Sequence, residues 1–262
     1  MYAFDFVKPA TLAEAIDALA SEGAQALSGG QTLIPSMKQR LNAPATLVSL
    51  TGIADLKGVR RDGDTLVIGA ATPHAVVAVE AAAHYPALAA LAGGIGDPAV
   101  RNRGTIGGSL ANNDPSACYP SAVLASGATI VTNTREIAAD DFFQGMFTTA
   151  LEPGEVITAV RFPIPQKAAY AKFKQPASRF ALTGAFVAKF AEGVRVAITG
   201  ASEGGVFRWT EAEAALSASF DAGALEGLSA SADGMIGDLH GTPAYRAHLV
   251  GVMTRRAVAA AQ

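Results

Sequence analysis

The residues with the clearest potential for chemistry lie in two glycine-containing stretches. The longer one, residues 101–115, reads Arg-Asn-Arg-Gly-Thr-Ile-Gly-Gly-Ser-Leu-Ala-Asn-Asn-Asp-Pro. Glycine lets a ligand approach the backbone to hydrogen-bonding distance, because it has no Cβ. Asp114 and Pro115 resemble the beginning of a helix, where free N–H groups favour phosphate. This stretch is therefore a candidate phosphate-binding loop.

A shorter stretch, residues 28–32, reads Ser-Gly-Gly-Gln-Thr and also precedes a predicted helix. An ordinary turn is the simpler interpretation of this stretch alone, since the chain has 27 glycines. The longer stretch is harder to explain as a plain turn, because arginines and hydroxyls accompany its glycines. Two such loops together favour a nucleotide ligand with more than one phosphate.

Five further candidates have a structural interpretation beside the functional one. Asp114 is expected to cap a helix that begins at Pro115, which does not exclude a contact with a ligand hydroxyl. Cys118 is expected to be a small buried hydrophobe, and His74 is expected at the surface. Arg101 and its neighbour Arg103 either hold phosphate or face solvent.

Residues 94–99, Gly-Ile-Gly-Asp-Pro-Ala, match one form of the dinucleotide fingerprint, and Asp114 lies 20 residues beyond Gly94. That fingerprint works only with a strand before its first glycine and a helix after it. An alanine-rich helical pattern precedes this stretch, and Asp97-Pro98 interrupts the segment where the helix would have to begin. No Rossmann NAD site is predicted here.

Composition excludes several classes of function. A net charge of −3 and a pI near 5.8 argue against a nucleic-acid partner. The single cysteine excludes a disulfide framework and a CxxC cluster motif, and the four histidines have no ligand spacing, so no metal site is predicted. The sequence shows neither a signal peptide nor an apolar run long enough for a membrane span. A cytoplasmic location is therefore expected.

The chain shows no Ser-His-Asp set, no Cys-His pair and no carboxylate pair. No catalytic residue is therefore assigned. Any catalytic power would have to come from a bound cofactor.

The elements that must position the two glycine stretches are predicted from hydrophobic periodicity and from the positions of capping residues, glycines and prolines. Thr11 and Glu14 form a capping-box pattern, and a strand, glycine turn, helix and strand follow as far as residue 50. Asp62-Gly63 predicts a β-hairpin, and Pro73 is expected as the first residue of a helix. The prolines of residues 163–166 mark the best candidate for a domain boundary. Beyond it, a small antiparallel sheet and a long C-terminal helix are predicted.

Three stretches carry a family resemblance: residues 28–35 (Ser-Gly-Gly-Gln-Thr-Leu-Ile-Pro), residues 100–109 (Val-Arg-Asn-Arg-Gly-Thr-Ile-Gly-Gly-Ser) and residues 152–157 (Glu-Pro-Gly-Glu-Val-Ile). Their order and spacing resemble the FAD-binding medium subunits of molybdenum hydroxylases. That family includes the flavoprotein subunit of carbon monoxide dehydrogenase and the flavin domain of xanthine dehydrogenase. The resemblance covers nearly the whole chain.

The resemblance implies an α+β fold of the p-cresol methylhydroxylase and vanillyl-alcohol oxidase (PCMH/VAO) type. FAD would lie between two α/β subdomains, about 1–55 and 56–165, which together form a PCMH-type domain over 1–165. Residues 166–262 would form a small C-terminal domain of antiparallel sheet and helices.

The resemblance also implies which residues contact FAD. They fall in the first loop, in the second loop and at scattered positions beside them. By position, they are Gly29, Gly30, Gln31, Thr32, Leu33, Ile34, Ser36, Ile95, Thr105, Gly107, Gly108, Ser109, Asn112, Asp114, Ile157 and Lys174. Lys174 rests on the match of Phe-Lys-Gln at 173–175. The family often has Asp at the position of Cys118, where it binds the flavin side chain, so this chain departs from the pattern there.

The function implied is that of an FAD-carrying electron-transfer subunit, a flavin-dependent oxidoreductase component. A large molybdopterin-binding subunit would hydroxylate the substrate, and a small [2Fe-2S] subunit would pass the electrons to this FAD, in a dimer of heterotrimers. FAD would deliver them to NAD⁺, a quinone, a cytochrome or oxygen. Two alternatives remain open: a stand-alone flavin oxidase or dehydrogenase of the same fold, and a non-catalytic nucleotide-binding module.

Overall fold

A three-stranded parallel sheet begins the chain, of which a computed structural model describes residues 1–261. The predicted capping box is confirmed, because Glu14 N donates to Thr11 Oγ1 and the Glu14 carboxylate accepts from Thr11 N. The strand order is β1-β3-β2. The elements are β1 (Asp5–Val7), α1 (Leu12–Leu19), β2 (Ala24–Leu27), α2 (Leu33–Lys38) and β3 (Thr46–Ser49).

A five-stranded antiparallel sheet, in the order β4-β5-β10-β6-β7, forms the middle of the chain. The predicted hairpin is confirmed, with Gly63 at φ 59° in its turn. After a 3-10 turn at Ala54–Leu56, the elements are β4 (Val59–Asp62), β5 (Thr65–Gly69), α3 (His74–Glu80), α4 (Pro86–Gly93), α5 (Pro98–Arg101), α6 (Ile106–Asn112), α7 (Tyr119–Ala125), β6 (Thr129–Thr132), β7 (Glu136–Ala138), α8 (Ala139–Phe142), β8 (Phe143–Gly145), β9 (Thr148–Thr149) and β10 (Ile157–Pro163).

The C-terminal part is a four-stranded antiparallel sheet packed between two hydrophobic cores. Phe186 and Ala188 of its second strand join the core of the middle sheet, whereas Leu182 and Val187 pack on the side of the long C-terminal helix. This explains why the second strand is apolar on both faces. The elements are β11 (Lys167–Lys174), β12 (Ala181–Lys189), β13 (Val194–Thr199), β14 (Phe207–Arg208), α9 (Thr210–Ala218), a 3-10 turn (Ala222–Leu225) and α10 (Pro243–Ala260).

The helix expected at Asp114-Pro115 begins elsewhere, so that prediction is wrong. Asp114 does not cap a helix; its carboxylate accepts from Ser116 N at 2.8 Å and closes a local turn. Helix α7 begins only at Tyr119. The helix that belongs to the glycine stretch is α6, which begins at Ile106 with Thr105 as its N-cap.

His74 is buried, not at the surface as expected, with 5% of its area exposed. Pro73 is the N-cap of α3 rather than its first helical residue, so His74 opens the helix and faces inward. Its backbone N–H donates to Gly104 O at 2.9 Å, and its ring lies 5.3 Å from that of Tyr119. The contact with Gly104 ties α3 to the glycine stretch.

Helix α4 precedes the stretch 94–99 that resembles the dinucleotide fingerprint, so the strand required there is replaced by a helix. Asp97 caps the short helix α5 by accepting from Val100 N. Among the helices of residues 1–261, none combines the length and apolar character needed to cross a bilayer.

Candidate cofactor-binding site

A cleft of about 590 Å³ lies where the three sheets meet, a size typical of sites for large organic ligands. The end of β2, the loop after it, the end of β5 and helix α6 form one part of its wall. Segment 114–118, the start of β10 and residues of the C-terminal sheet form the rest. Each of these three sheets therefore contributes residues to the cleft.

The loop after β2 presents backbone donors to this cleft. Gly30 has a φ of 70°, a conformation that glycine adopts without strain. In the part of the chain that the structure describes, no hydrogen bond uses the N–H groups of Gly30, Gln31, Thr32 or Leu33. Consecutive free amides at a concave surface are a typical binding arrangement for phosphate oxygens. This loop is the stronger phosphate candidate of the two.

The second glycine stretch is anchored more tightly to the fold. Gly107 N donates to Ala70 O at 2.9 Å, and Gly108 N donates to the Thr105 side chain at 3.2 Å. The first amides of α6 are therefore largely used within the protein. What α6 offers to the cleft is its glycine surface, the hydroxyl of Ser109 and the side chain of Asn112.

The two glycine stretches contact each other directly. Ser28 Oγ and Thr105 Oγ1 are 2.7 Å apart, and a Cβ placed on Gly29 would lie 2.2 Å from Arg103 O. No side chain at position 29 fits beside that carbonyl, since nonbonded atoms do not approach so closely. Gly29 is thus required for the two loops to meet, whatever ligand they bind.

Most of the residues predicted to contact a cofactor line this one cleft. They come from the two loops, which are far apart in sequence, and from positions beside them. The lining residues are Gly29, Gly30, Gln31, Thr32, Leu33, Ile95, Thr105, Gly107, Gly108, Ser109, Asn112, Asp114 and Ile157. Ile34, Ser36 and Lys174 are not among the residues that line it.

Lys172, rather than Lys174, extends into the cleft. In a regular strand both side chains would point to the same face, because strand periodicity is two. The register of β11 against β12 shifts between Phe173 and Lys174, and such a bulge redirects the following side chain. Bulges leave little trace in a single sequence, so the choice between the two lysines could not be made from the pattern.

Charge at the cleft is set by partners that sequence reasoning did not identify. Burial, and to a lesser degree the charge of Arg101, lower the pKa of His74 from 6.5 to about 4, so its imidazole is neutral near pH 7. Hydrogen bonds from Arg135 lower the pKa of Glu155 to about 2. Glu155 lines the cleft, but its carboxylate is held by Arg135 and Thr132.

The donor set of the cleft fits a dinucleotide. Free loop amides suit a diphosphate, Asn112 and Asp114 offer polar contacts for hydroxyls, and Ile95 and Ile157 provide apolar surface for ring systems. Across residues 1–261, no three His, Cys, Asp or Glu side chains lie close enough together to hold a metal ion.

Comparison with known proteins identifies the family of the chain. Residues 2–165 match the family model described as the FAD binding domain in molybdopterin dehydrogenase. The carbon monoxide dehydrogenase medium chain of Afipia carboxidovorans is 35% identical over 274 residues, covering 97% of this chain and 95% of that protein. The nicotine 6-hydroxylase medium subunit of Paenarthrobacter nicotinovorans is 33% identical over 273 residues, covering 98% of this chain and 96% of that subunit.

Solved structures agree over nearly the full length. A chain of Cu,Mo-CO dehydrogenase in its cyanide-inactivated form has a TM-score of 0.87 at 33% identity, covering 98% of this chain and 96% of its own. A chain of quinoline 2-oxidoreductase from Pseudomonas putida 86 has a TM-score of 0.88 at 29% identity, with the same coverage of 98% and 96%. The predicted α+β fold and the FAD cofactor are therefore confirmed. The chain belongs to the FAD-binding medium subunits of the molybdenum hydroxylases, and it is a flavin-dependent oxidoreductase subunit.

Proposed function

We propose that this chain is the electron-transferring flavoprotein of a three-subunit molybdenum hydroxylase. It takes electrons from a [2Fe-2S] partner subunit and passes them through FAD to an external acceptor. A large molybdopterin-binding subunit completes the unit, and two such heterotrimers form the holoenzyme. The observation that carries this proposal is the cleft whose two glycine loops meet beside a row of free amides.

The names of the relatives support a role that does not depend on the hydroxylated substrate. One medium chain belongs to a carbon monoxide dehydrogenase and another to a nicotine 6-hydroxylase, yet both share about a third of their residues with this chain. Carbon monoxide and nicotine have little chemistry in common. We infer that the substrate pocket of this enzyme lies on another subunit and that this chain serves the electron path.

In this proposal the thirteen predicted residues that line the cleft bind FAD. The amides of residues 30–33 hold the diphosphate, and Thr105 and Ser109 add hydroxyl contacts. Ile95 and Ile157 cover the rings and limit the access of water. FAD, when bound, supplies the redox chemistry, which protein side chains lack. The residues of this chain bind, orient and shield the cofactor.

An absorption spectrum of the purified chain tests the cofactor assignment directly. Oxidised flavin bands are expected after addition of FAD and removal of the free cofactor. A chain that keeps no FAD, alone or with its partners, would contradict the flavoprotein role. A chain that binds nucleotide without becoming reduced by any partner would fit a non-catalytic module instead.

Co-purification tests the role in the complex. The tagged chain, produced with its genomic neighbours, is expected to bring down one iron-containing and one molybdenum-containing chain. The substrate of the large subunit should then bleach the flavin only when both partners are present. Bleaching by a substrate in the isolated chain would favour a stand-alone dehydrogenase. The cytoplasmic location expected from the sequence belongs to this proposal, and cell fractionation tests it.

A further inference from the structure

Lys172 links three separate segments of the chain at the cleft wall. Its ammonium donates to Gly94 O at 2.9 Å, to Arg179 O at 2.9 Å and to Cys118 Sγ at 3.4 Å. An ammonium has three N–H donors, so every donor of Lys172 is in use. The acceptors come from the end of α4, the loop after β11 and the residue before α7.

All three linked segments line the cleft. Residues 95 and 96 directly follow the first acceptor, Cys118 and the residues before it line another part, and residues 178–180 line a third. These segments are far apart in sequence: one follows α4, one precedes α7 and one joins β11 to β12. Lys172 therefore acts at the point where the C-terminal sheet meets the wall of the FAD cleft.

The loop after β11 has a conformation that needs support from its surroundings. Ser178 and Arg179 have φ values of 59° and 60°, so two consecutive non-glycine residues are left-handed. Such residues persist only where neighbouring contacts determine them. Three contacts do so here: the bond from Lys172 to Arg179 O, the backbone bond from Gln175 N to Phe180 O at 3.0 Å, and the packing of Phe180 against His240, whose ring centroids are 5.5 Å apart.

The ammonium of Lys172 has no carboxylate partner in residues 1–261, since it forms none of the ion pairs found there. Cys118 stands where the resembling family often has a carboxylate. Replacing Lys172 by an apolar residue consequently leaves no counter-charge unpaired, which is the usual reason why such a substitution unfolds a protein. Its effect is confined to the three acceptors.

We propose that Lys172 is a positioning residue that fixes loop 175–180 against the FAD cleft and thereby sets how long FAD stays bound. This inference rests on the proposed FAD site. It adds a residue that the sequence pattern did not single out, and it assigns a role to the left-handed pair Ser178-Arg179. The loop closes one side of the cleft while Lys172 holds Arg179 O.

The test compares Lys172→Met, which keeps most of the aliphatic stem and removes the donors, with Lys167→Met, an exposed lysine on the same strand. Loss of one charge-assisted hydrogen bond to the loop corresponds to about tenfold faster release of FAD, followed by the rise of flavin fluorescence. Iodide should also quench the bound flavin of this variant more strongly. Lys167→Met should match the wild type in both measurements.

Limited proteolysis of the FAD-free protein tests directly how firmly loop 175–180 is held. Trypsin cleaves after arginine, and the bond after Arg179 lies in this loop. Mass spectrometry should detect faster cleavage there in Lys172→Met than in the wild type or in Lys167→Met. Equal cleavage and equal FAD release in all three proteins would overturn the inference.

Two controls separate the possible failures. If the wild-type chain holds no FAD, the proposed function fails, whereas the cleavage assay still decides the role of Lys172. If Lys172→Met does not fold, Lys172→Gln replaces it, because its shorter amide cannot reach all three acceptors. Lys172→Arg retains charge and donors, so slower FAD release than in Lys172→Met is expected; no such rescue would indicate a purely structural role.

Discussion

Single residues determine whether the two loops can meet at all. At Gly29 a Cβ would collide with a backbone carbonyl of the opposite loop, whereas at Gly108 it would meet Thr105 Oγ1 at 3.0 Å and Ser28 Cβ at 3.7 Å. The first glycine thus serves packing, and the second leaves room at the cleft. Sequence alone identified both glycines but assigned them one common reason, since it does not reveal which atoms surround each.

Burial of His74 makes the free energy of unfolding depend on pH between about 4 and 6.5. Its folded pKa of about 4 lies below the ordinary value of 6.5. Between these values the unfolded chain binds a proton that the folded chain excludes, so stability falls as pH falls from 6.5 towards 4. We expect a loss of about 2 kcal/mol between pH 7 and pH 5 from this residue.

Urea unfolding of the wild type and of His74→Gln at both pH values measures this contribution. The variant is expected to be less stable at pH 7 but to lose less stability on acidification. An equal loss in both proteins would show that His74 titrates normally in the folded state.

At the scale of elements, the helix boundaries show which features can be predicted from local sequence and which depend on tertiary contacts. The capping box of α1 and the β4–β5 hairpin follow from local rules, and both were predicted correctly. The start of α7 was not, because Pro115 O and Ala117 O are held by Thr199 of a distant strand. A tertiary contact of this kind overrides a local Asp-Pro signal.

The docking of α6 predicts different outcomes for two adjacent glycines. A Cβ at Gly107 would lie 2.6 Å from Ala70 Cβ and 2.8 Å from Ala70 O, so Gly107→Ala should lower stability by about 1–3 kcal/mol. Gly108→Ala should lose less stability, because alanine favours helices and its Cβ would press only on the Thr105 hydroxyl at 3.0 Å, but it should bind FAD more weakly. Thermal unfolding without FAD and titration with FAD distinguish the two effects. Normal FAD affinity in Gly108→Ala would exclude close contact between α6 and the cofactor.

At the scale of the whole molecule, the C-terminal sheet is part of the cofactor site. Thr199 Oγ1 lies 2.9 Å from Pro115 O and 2.6 Å from Ala117 O, and Gly200 N donates to Pro115 O at 2.7 Å. These contacts hold segment 114–118, which lines the cleft, from behind. The division into domains at residue 165 stays a prediction. The hydrogen bonds from Thr199 and Gly200 to segment 114–118 nevertheless connect the two sides of that residue.

Thr199→Val tests this support with almost no change in shape. Loss of the hydroxyl leaves Ala117 O without its donor, so stability should fall by about 1–2 kcal/mol and FAD should bind more weakly. Thr183→Val is the matched control, because Thr183 is equally buried in the same sheet and its hydroxyl donates to the adjacent Leu182 O rather than to segment 114–118. FAD titration is expected to separate the two variants. Equal FAD affinity in both would mean that segment 114–118 keeps its shape unaided.

Much of the site could be predicted from the sequence, because the residues typical of nucleotide binding are clustered within its two loops. Glycine pairs, hydroxyls and amides cluster at 28–32 and 105–114, and most of those residues line one cleft. Lys172, His74 and Phe180 were missed because their position depends on a strand bulge, a helix start and a strained loop. Each of these features arises from packing between distant segments, which leaves no periodic signal.

The contact between Ser28 and Thr105 joins residues 77 positions apart, and this separation orders events during folding. Closing so long a segment costs chain entropy that only later contacts offset, so the seam between the two loops forms late. FAD can be gripped by both loops only after that seam has closed, and its binding then favours the closed state by mass action. Loss of the cofactor should therefore loosen the molecule first along this seam, so hydrogen exchange in apoprotein should begin at residues 28–32 and 103–108.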